Sequence, residues 1–198
     1  MTATINASTS AGVIVTSDTS GSLAIQSNGT TLLTATSTGL VAGSSIITSG
    51  TAQASTSGTS IDFTGIPSWV KRITVMLNGV STNGTSNWLV QVGAGSIVTT
   101  GYNSGSSYTA GSSGSASSTA GMIIAVSAAT HIPSGHMVFT ALGSNTWVQS
   151  ATLGSNANSY TFSSGGTVTL SGTLDRVRIT TVNGTDAFDA GSINILYE

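Results

Sequence analysis

The chain has 198 residues, of which 38% are hydrophobic and only 5% are charged, and its formal net charge is −2. This balance excludes the basic footprint of a nucleic-acid-binding protein and the low-hydrophobicity, high-charge composition of a disordered chain. The polar residues are mainly Ser, Thr, Asn and Gly, which favour short strands joined by turns over long helices. So neutral a surface lacks the repulsion that keeps monomers apart, which favours its burial in an assembly.

Disulfides and thiolate metal sites are excluded because the chain contains no cysteine. The first residues, MTATINASTSAG, lack the basic and apolar regions of a signal peptide, so we expect no Sec export. No apolar run approaches the ~20 residues that a membrane-spanning helix requires, so we expect no membrane insertion.

Residues 1–42 are predicted to form an assembly arm of short β segments. Small apolar clumps recur along it, separated by turn residues such as Asn28-Gly29. Strands this short do not close a core within one chain. Two interpretations stay open: several copies intertwine to bury the clumps, or a flexible arm orders on contact with a larger surface. The residues expected to be buried by a partner are Val13, Ile14, Val15, Leu23, Ile25, Leu32, Leu33 and Leu40.

Residues 43–60, GSSIITSGTAQASTSGTS, are predicted to be a flexible connector because they are rich in Ser, Thr and Gly. Within them, Ile46-Ile47 could add one strand.

Residues 61–198 are predicted to form the folded domain. Apolar and polar residues alternate from Arg72 to Gly79, which is the period of two expected of a strand, and no helical periodicity is present. We therefore predict an all-β fold, an antiparallel β-sandwich of jelly-roll type. The predicted strands are Arg72–Gly79, Trp88–Val92, Ser96–Thr99, Met122–Val126, His136–Leu142, Thr146–Thr152, Tyr160–Phe162, Val168–Leu170, Leu174–Val182 and Ser192–Tyr197.

Two of these strands have similar sequences. Lys71–Gly79 and Arg176–Gly184 both begin with basic residues and both end in Asn-Gly. This similarity favours neighbouring positions in one sheet.

Residues 101–120, GYNSGSSYTAGSSGSASSTA, are predicted to be a long Gly/Ser loop. Loops of this length without regular structure are often binding loops or disordered. We therefore expect Tyr102 and Tyr108 to be contact residues of this loop.

No arrangement of side chains indicates catalysis. His131 and His136 lack a ligand spacing and a third ligand, and Asp186 and Asp189 lack the dense oxygen pattern of a calcium loop. We assign no catalytic, cofactor-binding or metal-binding residue, and we expect the protein not to be an enzyme. Ion pairing of Asp175 with Arg176 or Arg178 is the favoured role of that acid.

Three tryptophans, Trp69, Trp88 and Trp147, could stack on sugars, although packing in a core or a subunit interface is the commoner role of such residues. Lys71, the single lysine, is predicted to guard a strand edge against aberrant pairing.

Three segments carry a resemblance to a known family. The run IDFTGIPSWVKRITVMLNGVSTNGTSNWLVQVG at 61–93 and the run LDRVRITTVNGTDAFDAGSINILYE at 174–198 resemble a C-terminal domain of tailed-bacteriophage virion proteins, which are usually described as tail fibre or structural proteins. The run AGVIVTSDTSGSLAIQSNGTTLL at 11–33 resembles the arm that often precedes this domain. The resemblance implies a trimeric β protein on a phage particle and transfers no site residues.

Two roles on a virion fit this organisation. An arm followed by one compact domain favours a capsid cement or decoration protein, a homotrimer that binds the major capsid protein or other virion proteins. The alternative is a tail fibre or adhesin that binds a host receptor or glycan, although the chain leaves little length for a shaft. Either role implies synthesis in the host cytoplasm and location on the particle surface. A non-phage adhesin or surface-layer component is a further alternative.

Overall fold

The computed structural model describes residues 23–36, 39–42, 47–110, 113–126, 128–155 and 159–198. The chain divides into two compact units, residues 1–46 and 47–198. Every strand pair among the described residues is antiparallel, which confirms the predicted all-β fold.

The first unit contains a three-stranded sheet of β1 (Leu23–Ser27), β2 (Thr30–Thr36) and β3 (Gly39–Ala42), in that order. The turn between β1 and β2 is Asn28-Gly29, and both residues have positive φ, at 50° and 74°. Two central residues with positive φ define a tight hairpin turn whose twist matches that of the strands, and Asn-Gly is the preferred sequence for it. The predicted Asn28-Gly29 turn is therefore confirmed.

The second unit contains the remaining strands and begins at Ile47. They are β4 (Thr48–Ser49), β5 (Gln53–Ala54), β6 (Ser60–Thr64), β7 (Arg72–Thr82), β8 (Trp88–Ala94), β9 (Ser96–Ile97), β10 (Asn103–Thr109), β11 (Ser113–Ser118), β12 (Met122–Ile124), β13 (Ser134–Gly143), β14 (Thr146–Ser155), β15 (Tyr160–Thr169), β16 (Arg176–Thr181) and β17 (Phe188–Tyr197).

These strands form two sheets of a sandwich. The large sheet has the order β11-β10-β15-β14-β13-β7-β17-β4, with β5 also paired to β17. The small sheet has the order β12-β8-β16-β6, with β9 also paired to β8. The chain changes sheet at every connection from β6 onward, apart from the hairpins β8–β9, β10–β11, β13–β14 and β14–β15. This is jelly-roll connectivity with the β13–β14 hairpin inserted between β7 and β15.

Alternation along each strand builds the core. On β14, Trp147, Ala151 and Leu153 are buried, whereas Val148 and Ser150 between them are exposed. The largest fully buried side chains come from both sheets: Trp88, Phe139, Phe162, Phe188, Ile73, Met122, Ile124, Met137, Leu153, Ile179, Ile193 and Val75. One continuous core therefore joins the two sheets.

Serine side chains close the free edge of the small sheet. Its edge strand β12 pairs with β8 on one side only. On the other side, the N–H groups of Ile123 and Ala125 donate to the hydroxyls of Ser104 and Ser106 on β10, at 2.8 and 3.1 Å. The Ser164 hydroxyl on β15 donates to the Ile123 carbonyl at 2.7 Å. Three hydroxyls of the large sheet thus replace a neighbouring strand.

Two turns with similar sequences interlock at one end of the sandwich. One turn joins β7 to β8 and the other joins β16 to β17. The Asp186 carboxylate accepts from the Ser86 N–H at 2.9 Å and from the Asn183 amide at 2.6 Å, and the Asn83 side chain accepts from the Ala187 N–H at 2.9 Å. Both connections run between the sheets, so this network ties the large sheet to the small sheet.

Part of the predicted connector belongs to the second unit. β4 and β5 pair with β17, and the Gly50 N–H donates to the Ile195 carbonyl at 2.8 Å. The Gln53 side chain reaches across to the Asp62 carbonyl at 2.7 Å. Residues 47–60 therefore bridge the edges of both sheets, which their Ser/Thr/Gly composition does not indicate. Residues 43–46 lie outside the described residues.

The predicted loop at 101–120 is instead a β-hairpin. β10 pairs with β15 over seven residues and with β11 over six, and neither register is interrupted. Backbone pairing therefore places these Ser/Gly-rich strands in the sheet although their sequences have no apolar alternation. Likewise, the two short strands predicted at 160–162 and 168–170 are parts of one strand, β15.

The two strands of similar sequence, β7 and β16, lie in different sheets, so the prediction that they are neighbours is wrong. Each of the two strands is followed by a turn, and those two turns contact each other.

The first testable prediction concerns the interlocked turns. A Cβ added at Gly84 would overlap the Asp186 carboxylate, so Gly84→Ala should push the turns apart. We expect a loss of about 2–4 kcal/mol in the free energy of unfolding, because several hydrogen bonds break together. Gly184→Ala is the matched control: its Cβ meets nothing within 4 Å, although φ is +67°. That strain should cost only about 1–2 kcal/mol.

Urea denaturation of both variants measures the difference. In the double variant Gly84→Ala/Asp186→Ala the overlap is gone, so the combined loss should be smaller than the sum of the single losses. Equal losses for the two glycine variants, or strict additivity in the double variant, would contradict the interlock.

Candidate contact surfaces

The first unit exposes apolar side chains on a small sheet. Leu23 and Ile25, on β1, are 41% and 52% exposed. Because they are two residues apart in a strand, their side chains lie on the same face. Two neighbouring apolar side chains are therefore left open to solvent within this unit.

The other predicted arm residues have different placements. Leu33 is half-buried and lies opposite Ile25 in the register of β1 and β2. Leu32 lies in β2, and Leu40 lies in β3 opposite Ala35. Val13, Ile14 and Val15 lie outside the described residues.

Tyr102 is a core residue and not a contact residue. It is 2% exposed, and its hydroxyl accepts from the Val92 N–H at 2.8 Å. The same hydroxyl can donate to the carbonyl oxygen of Val92 or of Val98, each 3.1 Å away. Burial raises the pKa of Tyr102 to about 12, and the hydrogen bond with Val92 offsets part of that effect. The side chain fastens β10 to the end of β8.

Tyr108 packs in an aromatic cluster. Its ring lies 5.5 Å from that of Tyr160 and 6.1 Å from that of His131, and Phe162 completes the group. His131 is 3% exposed, its Nδ1 has no hydrogen-bond partner, and burial lowers its pKa. The prediction that Tyr102 and Tyr108 form a contact loop is therefore corrected: their hairpin turns both rings towards the protein, and exposes serines.

One of the three tryptophans is available for contact. Trp88 is fully buried, and its indole N–H donates to the Thr82 hydroxyl at 3.4 Å. Trp147 is also buried. Trp69, in contrast, is 52% exposed, and its ring centroid lies 5.9 Å from that of Tyr197.

Most of the few charged side chains pair with each other. Arg178 and Asp62, directly opposite on β16 and β6, make two hydrogen bonds of 2.7 Å, which raise the pKa of Arg178. Arg176 pairs with Asp175 at 2.7 Å and lowers the pKa of that carboxyl. The predicted pairing of Asp175 is thus confirmed for Arg176, whereas Arg178 takes Asp62. Arg72 and Glu198 make a third pair at 3.1 Å.

The two acids considered for calcium have structural partners. Hydrogen bonds from Asn183 and from the Ser86 N–H lower the pKa of Asp186, and the Ser81 hydroxyl donates to Asp189. Across the described residues, no group of three or more His, Asp or Glu side chains could hold a metal ion. Nor does that part of the chain contain a helix with the length and hydropathy needed to cross a membrane.

Several residues with clear roles were not recognised in the sequence. The hydroxyls of Ser104, Ser106 and Ser164 carry no distinguishing signal among so many serines. Asn83 and Asn183 are recognisable as turn residues because both precede Gly-Thr. Nothing in the sequence, however, indicates that the two turns contact each other.

Comparison of the chain with protein-family models, with curated proteins and with solved structures gives no match.

The second testable prediction concerns Tyr102. Tyr102→Phe leaves the buried Val92 N–H without its hydroxyl partner, so we expect a loss of about 1–3 kcal/mol in the free energy of unfolding at neutral pH. Because the folded-state pKa is raised from 10.0 to about 12, the contribution of the neutral hydroxyl is complete below pH 10 and disappears as the pH rises through about 12.

Absorbance titration of tyrosinate at alkaline pH, with urea denaturation at neutral pH, measures both effects. The ionisation step near pH 12 should be missing from Tyr102→Phe. A variant with unchanged stability and an unchanged titration curve would refute the role assigned to this hydroxyl.

Proposed function

We propose that the protein is a non-enzymatic structural component of a tailed-bacteriophage particle. Its role is that of a homotrimeric capsid decoration protein, which binds the major capsid protein and stabilises the shell. The observation that carries this proposal is the pair of exposed apolar side chains, Leu23 and Ile25, on the small sheet of the first unit.

A small sheet with an open apolar face gains stability from a partner. Isolated hairpins are marginally stable in water, and short sheets need a hydrophobic face that is covered. Burial of apolar surface contributes about 25 cal/mol per Å², so covering this face favours association. The phage assignment itself is supported by the sequence resemblance of residues 11–33, 61–93 and 174–198.

The second unit suits the cap of such an assembly. Among its described residues, Arg72, Arg176 and Arg178 each have a carboxylate partner, the Ser104 hydroxyl helps to close a sheet edge, and Asp186 holds two turns together. A stable sandwich that projects from the shell, attached through residues 1–46, matches the two-unit division of the chain. Three arms per trimer would multiply individually weak contacts into firm attachment.

The third testable prediction concerns attachment through the first unit. Deleting residues 1–46 should leave a folded sandwich that no longer joins the particle. The double variant Leu23→Ser/Ile25→Ser keeps the full length of the chain and should also reduce incorporation, because it removes the apolar area that the partner covers. Copy number per particle, measured by quantitative mass spectrometry of purified virions, and circular dichroism of the free proteins are the readouts.

Val182→Ser provides the matched control, since Val182 is similarly exposed but lies in the second unit. Its incorporation should be normal. Full occupancy of the shell by the deletion variant would refute the proposal, as would a copy number in the wild-type virion of a few to a few dozen instead of hundreds.

A tail fibre or adhesin is the second candidate, and Trp69 is the observation that favours it. An exposed indole beside Tyr197 can stack on the apolar face of a sugar. The fourth prediction follows: in the adhesin role, Trp69→Ala should strongly reduce phage adsorption to host cells, whereas Val182→Ser should not. In the decoration role, adsorption kinetics should be unchanged by either substitution.

A further inference from the structure

Among the residues that the structure describes, one edge of the large sheet carries none of the features that usually protect a sheet edge. β11 (Ser113–Ser118) is the last strand of that sheet and pairs with β10 on one side only. Exposed edge strands present unpaired N–H and C=O groups to any other strand, and proteins block them with charges, prolines, bulges or covering segments. The sequence of β11, SGSASS, has no charge and no proline, and its register with β10 has no bulge.

The other sheet ends of the second unit are protected. The hydroxyls of Ser104, Ser106 and Ser164 occupy the edge of β12. The edge of β17 is covered by β4 and β5, which are two residues each. The edge strand β6 carries Asp62, and the Gln53 side chain donates to the backbone there. β11 is thus the open end among the strands of this unit that the structure describes.

The region around β11 is electrically neutral. From Ile73 to Leu174 the sequence contains no Lys, Arg, Asp or Glu. The charged side chains of the large sheet are on β7 and β17, at the opposite end of the strand order. An edge without charge neither attracts nucleic acid nor repels a second neutral edge.

We propose that β11 pairs with β11 of a second copy, antiparallel and across a twofold axis, so that two large sheets join into one. The contact is independent of residues 1–46 and of any particle, and it therefore does not rest on the function proposed above.

The chemistry of the strand makes a second copy the fitting partner. An antiparallel pair about a twofold axis brings the same donors and acceptors together from both sides. The side chains of β11 are only Ser, Gly and Ala, so two such strands can approach without steric conflict. Ser113, Ser115 and Ser117 are exposed and alternate with half-buried residues, so each copy contributes the same small-residue surface to either face.

The absence of cysteine from the chain allows a direct test. Single cysteines are placed in the full-length protein at each position from Ser113 to Ser118, and disulfide formation between copies is followed by non-reducing electrophoresis. Facing residues in an antiparallel pair bring their Cβ atoms close enough for a disulfide. We expect one position, the one that faces its own copy across the twofold axis, to crosslink about a hundredfold faster than random collision allows.

The control is Ser150→Cys, an exposed serine on the outer face of β14, away from the sheet edges. It should crosslink only at the collision rate. If every β11 position crosslinks as slowly as Ser150→Cys, the proposal is overturned, including the case in which the edge is instead occupied by residues 1–46 of another copy.

A second measurement uses charge. Ser117→Lys places two like charges at the contact, so the mass of the full-length protein in light scattering should fall by about twofold relative to wild type. Ser150→Lys should leave the mass unchanged, and circular dichroism shows whether both variants are folded. A folded Ser117→Lys protein with the wild-type mass would also overturn the proposal.

Discussion

The stability of the sandwich depends on how the backbone groups of one edge strand are hydrogen-bonded without a neighbouring strand. Strand β12 borders the small sheet, and buried backbone groups left unpaired there would cost free energy. The hydroxyls of Ser104, Ser106 and Ser164 supply the missing partners from the facing sheet. They reach because the surrounding residues are small: a Cβ at Gly166 would come within 2.6 Å of the Asn103 carbonyl oxygen and 2.8 Å of the Met122 sulfur. A neutral hydroxyl can both donate and accept, so this sandwich closes one side without any charged group.

The use of small, uncharged side chains also explains which parts of the fold could be predicted from the sequence and which could not. Strands with apolar alternation, such as Arg72–Thr82, were predictable because one face enters the core. The strands β10 and β11 were not, because their alternating serines and glycines show no hydrophobic period. The pairing of residues 47–60 with the second unit was not predicted, because β4 and β5 each pair with β17 over two residues only and β17 lies more than a hundred positions away. Turn residues were recognisable, whereas the contact between the two turns is a property of the tertiary fold.

The sequence also did not show which of the candidate contact residues are exposed and which pack in the core. Leu23 and Ile25 are exposed in the structure, and their burial by a partner stays a prediction. Tyr102 and Tyr108 were predicted to be contact residues because tyrosines in a Ser/Gly-rich segment are typical of binding loops. In the structure, each ring instead anchors a polar hairpin to the core. Trp69 could not be separated from Trp88 and Trp147 by sequence, because all three lie near strand ends. Exposed apolar side chains occur in both units, because Leu142, Trp69 and Val182 of the second unit are also more than half exposed, whereas only the second unit has a large buried core.

The neutral stretch from Ile73 to Leu174 also affects how the protein behaves towards proteases. Trypsin cuts only after Lys and Arg, and the four such residues are Lys71, Arg72, Arg176 and Arg178. Even the fully unfolded chain would therefore yield one long fragment from Ile73 to Arg176 and another from Met1 to Lys71. In the folded protein, Arg176 and Arg178 lie within β16 and are held by carboxylates, which hinders cleavage there as well. Because hydroxyl groups replace lysines in most of the chain, trypsin has very few sites at which it can cleave the folded protein.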